Sequence, residues 1–267
     1  MKLLKPLCLS LMLLSALIGN AQYADAVIPE STISDTSAFP KYNLKKQNET
    51  TRLQFKQLII PTALITYGAV TLGKDENRGL NAELKNELWS EHLHKFSHAD
   101  TYLQFAPAVS VYLLNAFGVK GQHNFRDRSM IYLMSNIFVN GIVYPTKKLT
   151  HRLRPDGSNY NSFPSGHTGE AFASAEFMRM EYKDVSPWYG VAGYTMALAT
   201  GYLRMYNNKH WFSDVVAGAG IGIFSTKLAY WLYPKIQHKL FKDKPMNTMV
   251  MPSYQNGSIG LGMVHRF

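Results

Sequence analysis

The chain has 267 residues, 46% of them hydrophobic and 17% charged, enough for one generous domain with a buried core and with no internal repeat to divide it. Its formal charge of +10 favours anionic ligands or anionic membrane surfaces. The single cysteine, Cys8, falls in an N-terminal segment expected to be removed, which excludes thiol catalysis, disulfides and thiolate metal sites from the mature chain.

The chain opens on MKLLKPLCLSLMLLSALIGNAQ, in which Lys2 and Lys5 precede an apolar stretch ending at Gly19, Asn20 and Ala21. This order predicts a secretory signal peptide over 1–21, because the apolar part, Pro6 to Gly19, is short of the roughly 20 residues a membrane-crossing helix needs. A second possible cut follows Ala24-Asp25-Ala26. Residues 22–54 are rich in Ser, Thr, Asn and Pro without apolar periodicity and are expected to form an extended arm.

From there the pattern is helical, and 55–243 is expected to be one all-α domain, a bundle of about six core helices. Uncharged stretches run over 57–73, 105–119, 129–146, 185–203 and 215–226. Residues 81–98 alternate charge with Leu, Trp and Phe, the pattern of a solvated amphipathic helix. The run after Pro164-Ser165-Gly166-His167, residues 168–182, also has helical apolar spacing. The tail, 244–267, differs: Asn256-Gly257 between alternating apolar residues predicts a small β-hairpin.

Membrane spans and core helices of a soluble bundle both fit these stretches, since each is near or below the roughly 17-residue lower limit for a span. Gly218 and Gly222 have the small-xxx-small spacing that lets helices approach closely in bilayers. Glu176, Arg179 and Glu181 argue against a lipid-facing helix over 168–182.

Three short motifs stand between Lys147 and Asp214. The first is Lys147, six residues, then Arg154-Pro155; the second is Pro164-Ser165-Gly166-His167; the third is Arg204, five residues, His210, three residues, Asp214. In order and internal spacing they resemble the tripartite signature of the type 2 phosphatidic acid phosphatase (PAP2) superfamily, which also contains bacterial acid phosphatases and vanadium haloperoxidases. Leu203 stands where that family often has Ser. The resemblance implies phosphate-ester hydrolysis without a metal or other cofactor, with Lys147, Arg154, Ser165, Gly166, His167, Arg204, His210 and Asp214 at the matching positions.

The residue types suit that chemistry on their own terms. Ser165 is a plausible N-cap, and amide groups at a helix start attract anions, with Gly166 leaving the backbone open to a ligand. Lys147, Arg154 and Arg204 can surround a phosphoryl group, the guanidiniums offering forked donors. Asp214 follows His210 by one helical turn, so it can hold one ring nitrogen and leave the other as a nucleophile. His167 has no acid at such spacing and suits a proton donor to the leaving alkoxide. His210 would then carry a phosphohistidine that water, activated by His167, hydrolyses.

Blander readings exist. Lys147, Lys148 and Arg152 also read as a solvated charge run. His92, His94 and His98 invite a metal, but no acidic third ligand is fixed. Tyr144, Trp188, Tyr194, Trp211 and Trp231 read as core or interface aromatics. The basic run at 147–154 lacks interleaved aromatics, so nucleic acid is not an expected partner.

The expected protein is an exported phosphatase of the cell envelope, acting on the phosphate monoester or pyrophosphate of a phosphorylated lipid, with its site on the non-cytoplasmic side. Helix lengths bring the three motifs to one end of the bundle, opposite a lysine-rich end (Lys183, Lys235, Lys239, Lys242, Lys244) that the positive-inside rule assigns to the cytoplasm. The rivals are a soluble nonspecific acid phosphatase, a lipid phosphotransferase, a vanadium haloperoxidase and a non-catalytic envelope protein. Protein partners are not indicated.

Overall fold

The computed structural model describes residues 55–72, 79–90, 95–241, 248–255 and 258–265, and side chains as far as residue 237. The expected signal peptide and extended arm lie outside the described residues, as do His92 and His94. The helices are α1 (Phe55–Thr71), α2 (Leu80–Lys85), α3 (Ala99–Leu103), α4 (Ala106–Ala116), α5 (Phe125–Thr150), α6 (Gly166–Tyr182), α7 (Pro187–Tyr206) and α8 (Phe212–Phe241). Six of them are long enough to build the bundle, as the apolar spacing leads one to expect. The region 81–98 departs from expectation. Helix α2 passes into a π-turn over Asn86–Ser90, and 95–98 is irregular, so there is no continuous amphipathic helix.

Strands β1 (Thr248–Gln255) and β2 (Ser258–His265) pair antiparallel from Thr248↔His265 to Gln255↔Ser258. That register brackets Asn256-Gly257, the dipeptide that favours a two-residue hairpin connection.

Capping explains where the central helices begin. The side chain of Asn124 accepts from the Asp127 amide, that of Ser165 from Thr168, and that of Ser186 from Trp188. Helix α6 is the centre of the bundle, packed on α7 and α8, and its residues from Thr168 to Met178 are all buried. Gly218 and Gly222 make the α6–α8 approach possible. A Cβ on Gly218 would stand 2.5 Å from the Ser165 carbonyl oxygen, and one on Gly222 would collide with the Gly169 carbonyl oxygen.

The central place of α6 answers the objection raised by its charges. Glu176 is buried and accepts from Arg179 (2.6 and 2.7 Å) and Tyr194 (2.6 Å), with Lys227 at 2.8 Å. Glu181 is buried and accepts from His123 (2.7 Å) and Tyr230 (2.7 Å). These carboxylates are therefore paired inside the bundle and face no surrounding medium. The outward faces, by contrast, are apolar: Ile59 and Ile60 on α1, Val109 and Leu113 on α4, Leu133 and Ile137 on α5, and Val191 and Leu198 on α7 are exposed. The pairs on α4 and α5 are one helical turn apart and the pair on α7 two turns, so they make apolar stripes on the outside of the bundle. Among the described residues one helix, over Phe212–Gln237, is long and apolar enough to cross a membrane, and 67% of its apolar window is buried within the protein.

Candidate active site

Helices α5 and α7 end, and α6 and α8 begin, at the same end of the bundle, and this brings the three motifs together. Lys147 lies in the last turn of α5, His167 in the first turn of α6, Arg204 in the last turns of α7 and Asp214 in the first turn of α8. Arg154 and His210 lie in the loops between. The Ser165 amide donates to the Asp214 carbonyl oxygen at 3.0 Å, stitching the starts of α6 and α8 together. The start of α6, which carries His167, thus lies beside Asp214, and a helix N-terminus favours negative charge.

The cations converge on His167. Burial first, and then the charge of Arg204, hold its pKa down at about 4; Asp100 opposes, and Arg154 and Lys147 add to the depression. Lys147 is pulled to about 8 by burial and by Arg154 and Arg204, with Asp214 opposing. Its Nζ donates to the Asn161 carbonyl oxygen at 2.7 Å. The Nε–H groups of Arg154 and Arg204 are buried and donate to no protein atom. Like charges so crowded, with buried donors left over, make a place that an anion would stabilise. Gly166 borders this space: a Cβ there would come within 4.0 Å of the Lys147 Cε.

Ser165 caps α6, as the sequence leads one to expect. It is fully buried, and its Oγ accepts from the Thr168 amide at 3.4 Å and lies 2.9 Å from the Thr168 hydroxyl. In this position it fixes the helix start that carries His167.

His210 is 3% exposed, and its Nδ1 stands 3.6 Å from Asp214 Oδ2, an ion-pair contact longer than a hydrogen bond. Burial lowers its pKa to about 3 against the opposing pull of Asp214, so the ring is neutral. Asp214 is firmly held. Its Oδ1 accepts from Arg152 (2.8 Å), and its Oδ2 from Ser162 Oγ (2.5 Å) and the Trp211 amide (2.9 Å). Arg152, one reading of which is a solvated charge, is 4% exposed and also donates to Ser213 Oγ at 2.8 Å.

Asp100 on α3 is a second carboxylate that the motifs do not contain. It is fully buried and accepts from Arg204 Nη1 at 2.5 Å, while Asn207 grips the same segment through the Ser97 amide (2.9 Å) and carbonyl (2.7 Å). Asp100 is 104 residues from Arg204 in sequence, and no local pattern connects them. Replacing Asp100 with Asn should lower kcat/KM by about 10- to 100-fold, because a guanidinium displaced by a fraction of an ångström no longer matches the phosphoryl oxygens. Steady-state kinetics alongside a thermal melt would separate that loss from a folding defect.

Residues 128–238 match the sequence model of the PAP2 superfamily. They form a PAP2-superfamily domain. Every motif residue from Lys147 to Asp214 falls inside it, whereas Asp100 lies outside. The chain is 38% identical over 161 residues to a lipid A 1-phosphatase of Porphyromonas gingivalis, covering 60% of this chain and 35% of that one. It is 32% identical over 84 residues to a lipid A 4'-phosphatase of Bacteroides thetaiotaomicron, covering 32% and 36%. The chain thus spans about a third of the length of these relatives. A crystal structure of a transmembrane PAP2-type phosphatidylglycerolphosphate phosphatase from Bacillus subtilis is similar to it with a TM-score of 0.47 and 18% identity, covering 69% of this chain and 99% of that one.

Proposed function

We propose that the PAP2 domain is a phosphatase that hydrolyses the phosphate monoester or pyrophosphate of a lipid at the cell envelope. The observation that carries this is the cup formed by Lys147, Arg154 and Arg204 around His167, in which two buried guanidinium Nε–H groups have no protein acceptor. The names of the similar proteins, both lipid A phosphatases, favour a phosphorylated lipid, and so do the apolar outer faces of α1, α4, α5 and α7.

In this mechanism the cations bind the phosphoryl oxygens, and the neutral His210 attacks phosphorus through Nε2 while Nδ1 faces Asp214. The P–N bond forms as the bond to the leaving oxygen breaks, and His167 passes its proton to that oxygen. His167 then takes a proton from water, the resulting hydroxide attacks phosphorus, and P–N cleavage returns His210 and releases phosphate. A pKa of about 4 means that His167 is neutral in the free site. The missing proton arrives with the monoanionic ester, whose second ionisation is near 6.

A pH dependence follows. The kcat/KM for a monoester should fall above about 6 as the monoanion disappears. It should fall more steeply through about 8, where Lys147, its pKa depressed, loses the charge it carries below that value. A profile flat from pH 5 to 9, measured with a soluble aryl phosphate, would contradict both assignments.

The direct test is turnover by membrane and soluble fractions against a panel of lipid phosphates and an aryl phosphate, with and without EDTA. Activity towards the lipids in the membrane fraction, unchanged by chelation, is expected. Turnover of soluble esters alone would favour a nonspecific acid phosphatase, and binding without turnover an envelope protein that only holds phosphate. The same preparation from a native-like host tests export, since intact mass should show a mature chain beginning near Gln22.

A further inference from the structure

We infer that a groove between α6 and α7, away from the phosphate cup, holds a membrane phospholipid with an anionic headgroup. The proposal rests on the membrane setting proposed above but not on catalysis. The groove encloses about 460 Å³, within the usual range for small-molecule sites. Its walls change character along its length. At one end stand Arg179 on α6 and Lys183 at its C-cap, four residues apart, with Ser186 at the start of α7. From there Val191, Tyr194 and Leu198 continue as a stripe along α7. Ser186 to Leu198 spans about 18 Å of helix, close to half of a hydrocarbon core about 30 Å thick, the depth of one leaflet.

Two features make this a built site. Gly190 lets the Arg179 stem lie against α7, since a Cβ there would come 2.8 Å from Arg179 Cγ. The charge beneath is unbalanced: the buried Glu176 faces both Arg179 and Lys227, leaving one positive charge over, to which Lys183 adds. Arg179 grips Glu176 through Nε and Nη2, and Nη1 takes no part in that grip. Asp184, in the same turn, is exposed and does not line the groove. A cationic end joined to an exposed apolar stripe matches an amphiphile whose headgroup is negative. Val191 and Leu198 are 52% and 63% exposed, an arrangement suited to an acyl chain lying along the outside of the helix.

The test uses the full protein in nanodiscs of phosphatidylcholine doped with phosphatidylglycerol, a phosphodiester that a monoesterase leaves intact. After extraction, native mass spectrometry counts the retained lipid. The unaltered protein should keep a phosphatidylglycerol and discard phosphatidylcholine, and free glycerol phosphate should not displace it. Lys183→Glu and Val191→Trp should each cut retention about tenfold or more, the first by reversing the headgroup charge and the second by filling the stripe. Both variants should hydrolyse a soluble aryl phosphate at the normal rate, which shows that they are folded. His210→Ala should retain the lipid even if the phosphatase reading fails. Equal retention of the two lipids, unchanged retention in both variants, or a dimer that protects the groove from lipid would each overturn the proposal.

Discussion

Replacing His210 with alanine should abolish turnover, a loss on the order of 10⁴-fold or more, because in the proposed mechanism this ring forms the P–N bond. Transient labelling by a phosphate donor, labile in acid and stable in base, should vanish with it. His210 is buried, so alanine removes packed atoms as well as the nucleophile. Asp214 nevertheless keeps Arg152, Ser162 and the Trp211 amide as partners, which limits the damage. Circular dichroism and a thermal melt should show a folded variant. Activity above a few percent in that folded protein would rule out the covalent route through this residue.

Asp214→Asn should lower kcat by about a hundredfold or more. As His210 takes the phosphoryl group its ring becomes cationic, and the carboxylate 3.6 Å away is the group that offsets this charge. Arg152 sharpens the expectation. With Asp214 neutral, a buried guanidinium bonded to that carboxylate at 2.8 Å is left uncompensated and repels the developing imidazolium. The same loss should lower stability, by about 3–5 kcal/mol if the pair behaves like other buried ion pairs. Adding Arg152→Gln removes the stranded charge, so the double variant should regain stability without regaining turnover. If it recovered both, Asp214 would be a structural anchor alone. If Asp214→Asn weakened substrate binding and left kcat intact, the roles of His210 and His167 would have to be exchanged.

Much of the site is legible in the chain because its chemistry is local. Lys147 and Arg154 share one helix end and its loop, Ser165 caps the helix that carries His167, and His210 precedes Asp214 by a turn. Such spacings survive folding unchanged. Two positions are not legible in this way. Arg152 has the same local sequence whether it is solvated or buried, and only the packing of Trp211 and α8 against its loop takes it out of water. Asp100 acts across 104 residues, in a region without motif or strong periodicity.

Apolar periodicity by itself determined that the chain is a bundle of about six helices, and three spaced motifs pointed to an anion site, because both signals are carried within one or two helical turns. Tertiary structure alone decided which faces of those helices are inside. Glu176, Glu181 and Arg179 count against a lipid-facing helix when read along α6, yet in the bundle this helix is central and the apolar stripes of α1, α4, α5 and α7 form the exterior. The physical reason is that a charge is costly or tolerable according to its partners, and His123, Tyr194, Lys227 and Tyr230, which satisfy these carboxylates, come from other segments of the chain.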